Sequence, residues 1–264
     1  MIHTTTPTRI GVLACTRRTQ EYVRRILRSM GYAPLVFANV QELAALGSNA
    51  SKLRMLVVGG HSTDIAARDG ELLASIRAAI GERVPLLYCP LGNAPRAMYR
   101  GIADGVVPDS SQYVSDLCQA LRGFMESFGL RGPQSSLHWG GYAFHLLQGA
   151  VTFADKEVRL PPLSFDTALE LFYNAGQTVA PGCLASVLPI GRARPTEPSF
   201  SRIVHDLKVS LELGCGHGWD LAAMPGGRYK LFRTGQEAEP FVAPAAERGA
   251  ARRSSGPAWA AQPV

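Results

Sequence analysis

Between Arg9 and Phe128 the chain repeats one pattern five times: a short apolar run without polar alternation, then apolar residues at helical spacing. "RIGVLA" is followed by Tyr22, Val23, Ile26, Leu27 and Met30, with Gly31 as a stop. "APLVF" precedes "VQELAALG", "MLVV" precedes "GELLASIRAAIG", "VPLLYC" precedes "APRAMYRGI", and "DGVV" precedes "SQYVSDLCQALRGFMESF". Short β-branched strands that lack a polar face must be covered by helices on both sides. Five β/α units of this kind predict a doubly wound parallel sheet in strand order 2-1-3-4-5.

The pattern ends at "GLRGPQSS", whose Gly, Pro and Ser read as a linker. Beyond it, "LHWGGYAFHLL", "AVTFA" and "EVRLP" are short strands at hairpin spacing. "SFDTALELFYNAG" reads as a helix with Ser164 as N-cap and Gly176 as stop. A short helix near "PGCLASVL", a loop "PIGRARPTEP", a helix "SFSRIVHDLKVSLEL" and a hairpin "WDLAAMPGGRYKLF" follow. From Thr234 the sequence is rich in Ala, Pro, Glu and Arg without periodicity and reads as disordered. The expected domains are 8–128, a linker at 129–137, a second domain at 138–233 and a tail at 234–264. Two domains imply two cores.

Composition narrows the function. No stretch of about 18 uninterrupted apolar residues is present, so no membrane span is expected. The opening "MIHTTTPTRIGVLAC" lacks a basic region followed by an apolar stretch and a cleavage site, and the expectation is a cytoplasmic protein. Cys15, Cys89, Cys118, Cys183 and Cys215 are odd in number and form no CxxC pair, which argues against a disulfide framework or a zinc site. No cofactor is expected. The net charge of +6 permits a polyanionic partner, but it is spread: residues 9–128 hold 14 basic and 10 acidic side chains, and residues 137–233 hold 9 and 8. Nucleic-acid binding must therefore rest on local placement.

The order hairpins, helix, short helix, loop, helix, hairpin resembles the winged helix-turn-helix output domain of OmpR/PhoB-type response regulators. The likeness is carried by "LPPLSFDTALELFYNAGQTVAPGCL", with Phe165 and Leu184 as apolar anchors, by "PSFSRIVHDLKVSLEL" and by "GWDLAAMPGGRYKL". The five β/α units then resemble the receiver domain to which that output domain is fused. The implied fold class is an α/β flavodoxin-like, receiver-like parallel sheet domain followed by an α+β winged helix-turn-helix domain.

The resemblance implies that "PSFSRIVHDLKVSLEL" is a DNA-recognition helix. Phe200, Ile203, Val204, Leu207 and Leu211 form its apolar stripe. Ser199, Ser201, Arg202, His205, Asp206 and Lys208 are left to face the major groove, where Arg pairs with guanine and Ser or Lys meets phosphate. Without the flanking pattern the helix would sooner read as a solvated face of an ordinary amphipathic helix. Asp206 is a departure from the family, because a carboxylate facing phosphate is repulsive. At the wing, Ala223 and Pro225 stand where Thr and Arg are common, leaving Arg228 and Lys230 as contacts. Arg192 and Arg194 fall in the loop where the family touches RNA polymerase or DNA, or are simply surface residues.

A working receiver needs a phospho-acceptor Asp, an acidic pair for Mg²⁺, and a Thr or Ser with a Lys to sense the phosphoryl group. Laid over this chain, the acidic pair falls on Ala14 and Cys15, the acceptor on Gly59, the hydroxyl on Pro90 and the lysine near Pro108. Asp64 and Asp109 lie several residues past their strands. "VVGGHSTDIAARDG" matches neither nucleotide-binding glycine fingerprint. The implied protein is a DNA-binding transcriptional regulator, not an enzyme and not controlled by aspartyl phosphorylation. The family also implies a homodimer, formed here through Met98, Tyr99, Arg100 and the helix from Ser111 to Phe128. A protein-interaction module that reuses both folds without binding DNA is the alternative.

Overall fold

A computed structural model describes residues 9–14, 16–60, 66–90, 99, 101–108, 113–130, 136–185 and 197–235, with backbone alone for 66–68 and 197–199. The first strands are β1 (Ile10–Ala14), β2 (Leu35–Phe37), β3 (Met55–Gly59), β4 (Leu86–Cys89) and β5 (Gly105–Val106). They pair in parallel in the order β2-β1-β3-β4-β5. This is the flavodoxin-like, receiver-type order expected from the sequence. Every residue of β3 and β4 is buried, as central strands covered on both faces must be.

Helix α1 (Arg17–Ser29) starts where Thr16 accepts a hydrogen bond from the Thr19 backbone N–H. It packs Val23, Ile26 and Leu27 on the sheet, and the chain leaves it through Gly31 at φ 82°. A reciprocal cap starts α2 (Val40–Ala44): Asn39 accepts from the Glu42 N–H, and the Glu42 carboxylate accepts from the Ala38 N–H. The other helices described in this domain are α3 (Ala66–Ile80) and α4 (Val114–Ser127). The segment "APRAMYRGI", read as a helix, lies largely outside the described residues.

Four antiparallel strands follow in sequential order: β6 (Ser136–Trp139), β7 (Tyr142–His145), β8 (Ala150–Phe153) and β9 (Lys156–Arg159). Next come α5 (Pro162–Tyr173), β10 (Thr178–Val179), α6 (Pro181–Ala185), α7 (Glu197–Ser210), β11 (Trp219–Met224) and β12 (Arg228–Arg233). The last sheet is ordered β10-β12-β11, and its β11–β12 hairpin is the wing beside the three helices. Helix α5 begins earlier than expected. Pro161 occupies the cap position and Pro162 the first turn, so Ser164 lies inside the helix. A proline's fixed φ and missing N–H suit that first turn.

Two apolar clusters form, but they divide along the sheet instead of between the domains. One joins the α1/α4 face of the parallel sheet to the whole second domain, including the aromatic group of Trp139, Tyr142, Phe144, Phe165, Phe172 and Trp219. The other fills the opposite face under α2 and α3. Polar contacts reinforce the shared cluster. The Arg25 guanidinium of α1 pairs with Glu170 of α5 at 2.7 Å and stacks 4.0 Å above the Tyr173 ring.

Candidate nucleic-acid interface and receiver edge

Helix α7 is held by Phe200, Val204, Leu207 and Leu211, all buried, and its end is tied to the first antiparallel sheet where the Tyr142 hydroxyl donates to the Leu211 carbonyl at 2.8 Å. The stripe expected from the spacing is therefore the buried one. On the other side, Ser201, Arg202, His205, Asp206, Val209 and Ser210 are exposed. His205 and Asp206 lie three and four residues after Arg202, and Val209 four and three after them, so the four share one face.

Two of the expected DNA contacts are committed inside the domain. Lys208 donates to the Leu221 carbonyl at 2.8 Å and sits 2.8 Å from the Asp220 carboxylate, so it clamps α7 to strand β11. Ser201 lies 3.0 Å from the Tyr229 hydroxyl of β12. The reason is placement: both residues flank the buried stripe closely enough to meet the wing. Arg202 and Asp206 form a loose ion pair at 4.0 Å, with side chains 85% and 62% exposed. At this exposure the pair contributes little to stability, but it offsets the positive charge of the face.

At the wing, Arg228 is exposed and donates to the Pro225 carbonyl at 3.1 Å, across the turn made by Gly226 and Gly227 at positive φ. Lys230 is half-buried in the central strand, between Thr178 and Ala222. Of Ser199 only the helical backbone is described, and Arg192 and Arg194 lie outside the described residues. Val209 was not among the expected contacts, yet it is 64% exposed. Its spacing from Arg202, His205 and Asp206 was the signal that places it on their face.

The C-terminal edge of the parallel sheet holds the positions on which the resemblance laid a receiver's phosphorylation chemistry. Ala14, Gly59 and Cys89 stand side by side in register, Pro90 and Pro108 are half-buried, and Cys15 lies outside the described residues. A Cβ added to Gly59 would sit 2.9 Å from the Ala14 Cβ and 3.1 Å from the Thr19 methyl group. At Gly60 it would run into the Tyr88 hydroxyl. That hydroxyl donates to buried Asp69 at 2.6 Å, and the Tyr88 ring packs on Tyr99 with centroids 4.6 Å apart. Gly60 is where the backbone closes over a Tyr–Asp cluster, and Gly59 is where β3 meets Ala14 and Thr19. Burial pushes the Cys89 thiol up to about 12, away from thiolate chemistry.

Tyr99 was expected on a dimer surface and is instead buried beneath this edge, because its ring packs on Tyr88. Met98, Arg100 and Ser111 lie outside the described residues, and the start of α4 is covered by the second domain. There Asp166, 1% exposed, accepts from the Val114 backbone N–H at 3.3 Å. Burial raises the Asp166 carboxyl to about 8, against the lowering effects of the Val114 N–H, Arg18 and Arg25 and with a further raising effect from Asp116. Among the described residues no helix is long and apolar enough to cross a membrane, and no cluster of three metal-ligating side chains forms.

No family model and no curated protein matches the sequence. Among solved structures, the Thermotoga maritima response regulator DrrB, described as an OmpR/PhoB homolog, is 12% identical, matched over 86% of this chain and 100% of its own with a TM-score of 0.34. A streptococcal protein from a family of redox sensors evolved from two-component response regulators is 10% identical, matched over 86% and 99% with a TM-score of 0.37. The CheY-like protein TadZ of Pseudomonas aeruginosa is 16% identical over 44% of this chain and 98% of its own, with a TM-score of 0.35.

Proposed function

We propose that the chain is a sequence-specific DNA-binding transcriptional regulator of the OmpR/PhoB type, a binding protein and not an enzyme, whose receiver-like domain works without aspartyl phosphorylation. The observation that carries the reading is the exposed face of α7, where Arg202, His205 and Val209 stand on a helix braced against a wing ending in Arg228. A helix presented in this way suits the major groove. Arg202 would pair with guanine, Val209 would meet a thymine methyl group, and Arg228 would reach the adjacent backbone. The crowding at Gly59 supports the second half of the proposal, since an acceptor side chain there would have to displace β1. The setting is cytoplasmic, the DNA is a promoter bound by a homodimer, and RNA polymerase is the further partner.

Binding of promoter fragments by the full chain, followed across a salt series, tests the reading. Neutralisation of phosphates gives a steep fall in affinity with salt, and Arg202→Ala weakens binding to the preferred site more than to random DNA. Binding that shows no sequence preference, unchanged by Arg202→Ala, defeats it. The near-neutral face formed by Arg202, Asp206 and Val209 favours one other reading, a protein-docking face without DNA contact. In that case the same variant would lose a protein partner and leave DNA untouched.

A further inference from the structure

A cleft of about 510 Å³ opens between the domains, with α1 on one side and α5 and α6 on the other. Four guanidinium groups line it, Arg17, Arg18, Arg24 and Arg25, against two carboxylates, Glu21 and Glu170. Both carboxylates are already engaged, Glu21 by Arg24 at 2.6 Å and Glu170 by Arg25 at 2.7 Å. The lining keeps an excess of two positive charges. Arg25 is 7% exposed, and the Nε atoms of Arg24 and Arg25 are buried without a hydrogen-bond partner. A buried donor of a charged group left unmatched is costly, and a bound anion or ordered water is the usual reason one persists.

We propose that this cleft binds a small phosphorylated molecule that bridges the two domains. Guanidinium groups match phosphoryl oxygens bidentately, and the cleft volume falls in the range of small-molecule sites. Four arginines within about two helical turns of α1 suit a ligand with more than one phosphoryl charge. The opposite wall is open, because a Cβ added to Gly182 of α6 would meet nothing within 4 Å. Helix α6 precedes the segment that leads to α7, so ligand held between α1 and α6 would couple the receiver-like domain to the reading helix. The site does not depend on DNA binding, and its test uses no DNA.

Inorganic pyrophosphate is the probe, titrated into the full chain at ionic strength held constant with sodium chloride, with heat of binding and thermal midpoint as readouts. Saturable binding that raises the midpoint is expected, with sulfate at equal ionic strength giving little. Arg17→Gln and Arg24→Gln together weaken binding by about tenfold or more, as loss of two charge-assisted contacts requires. The Arg202→Gln variant, altered on α7, binds like the parent. Should the double variant fail to fold, Arg17→Gln alone, an exposed change in the first turn of α1, decides the matter through a severalfold loss. Absence of saturable binding overturns the proposal, as does equal weakening by Arg202→Gln.

Discussion

Asp166 of α5 caps the N-terminus of α4 across the domain junction, accepting from the Val114 N–H at 3.3 Å while 1% exposed. Tyr113, at the cap position itself, offers no side-chain bond, so a residue of the second domain fills one of the vacant roles at that helix end. Burial opposes its charge most, Arg18 and Arg25 of α1 favour that charge, Asp116 of α4 opposes it further, and burial outweighs the arginines.

The pH dependence follows from that burial. The folded-state carboxyl titrates near 8, above its usual 3.8, so between those values the folded chain keeps a proton that the unfolded chain has lost. Stability from this group is full below the window and falls as pH rises through it. Asp166→Asn stays neutral and keeps an oxygen for Val114. The variant is expected to match the parent near pH 3.5 and to melt increasingly higher than the parent as pH rises toward 8.5, each kcal/mol appearing as about 2–4 °C. Thermal scans across that range check it, and a parent whose stability rises from pH 5 to 8.5 as in the variant contradicts it.

Gly59 has the role of a contact point, since its α-carbon faces Ala14 in register and Thr19 lies over both. Gly59→Ala is expected to cost about 1–3 kcal/mol through overpacking, and Gly59→Asp more, because a carboxylate would be buried as well. Urea denaturation measures both. A Gly59→Asp protein as stable as the parent that takes up label from acetyl phosphate would show that the edge opens readily enough to carry receiver chemistry.

The parallel sheet was legible because unbroken apolar strands leave only one arrangement that covers both faces. The start of α5 was not, since Ser164 is a good cap in isolation and the prolines at 161 and 162 outrank it. The junction was hidden for a different reason. Arg25 and Glu170 are 145 positions apart, and no local pattern marks an arginine whose partner arrives from another domain. On α7 the periodicity found the buried stripe, but a helical wheel carries no information on how near β11 comes to Lys208. Val209 shares the spacing of that exposed face, but polarity, the property that marks the other residues there, does not mark a valine.

Lys208 holds α7 to strand β11 through the Leu221 carbonyl and Asp220. Lys208→Met keeps the length of the side chain and removes both contacts. A loss of about 1 kcal/mol is expected from the missing charged hydrogen bond and, on the reading proposed for α7, a uniform weakening of DNA binding whose salt slope is unchanged. A slope smaller by about one would instead mark Lys208 as a phosphate contact. Denaturation and salt-series binding, measured on the same preparation, separate the two roles.

Asp206 bears on the reading proposed for α7 through its charge. Its carboxylate is 62% exposed, lies 4.0 Å from the Arg202 guanidinium, and would face phosphate in any major-groove docking. Asp206→Asn removes that repulsion and frees Arg202, at little cost to folding because an exposed ion pair contributes about 0–1 kcal/mol. On the reading proposed for α7, the variant binds promoter DNA several-fold more tightly, with a steeper salt dependence, and Arg202→Ala placed on top of it removes most of the gain. That non-additivity is the decisive quantity, since a double-mutant cycle isolates the coupling between the two side chains. If Asp206→Asn leaves DNA affinity unchanged, the face of α7 does not meet the phosphate backbone, and the protein-docking reading takes its place.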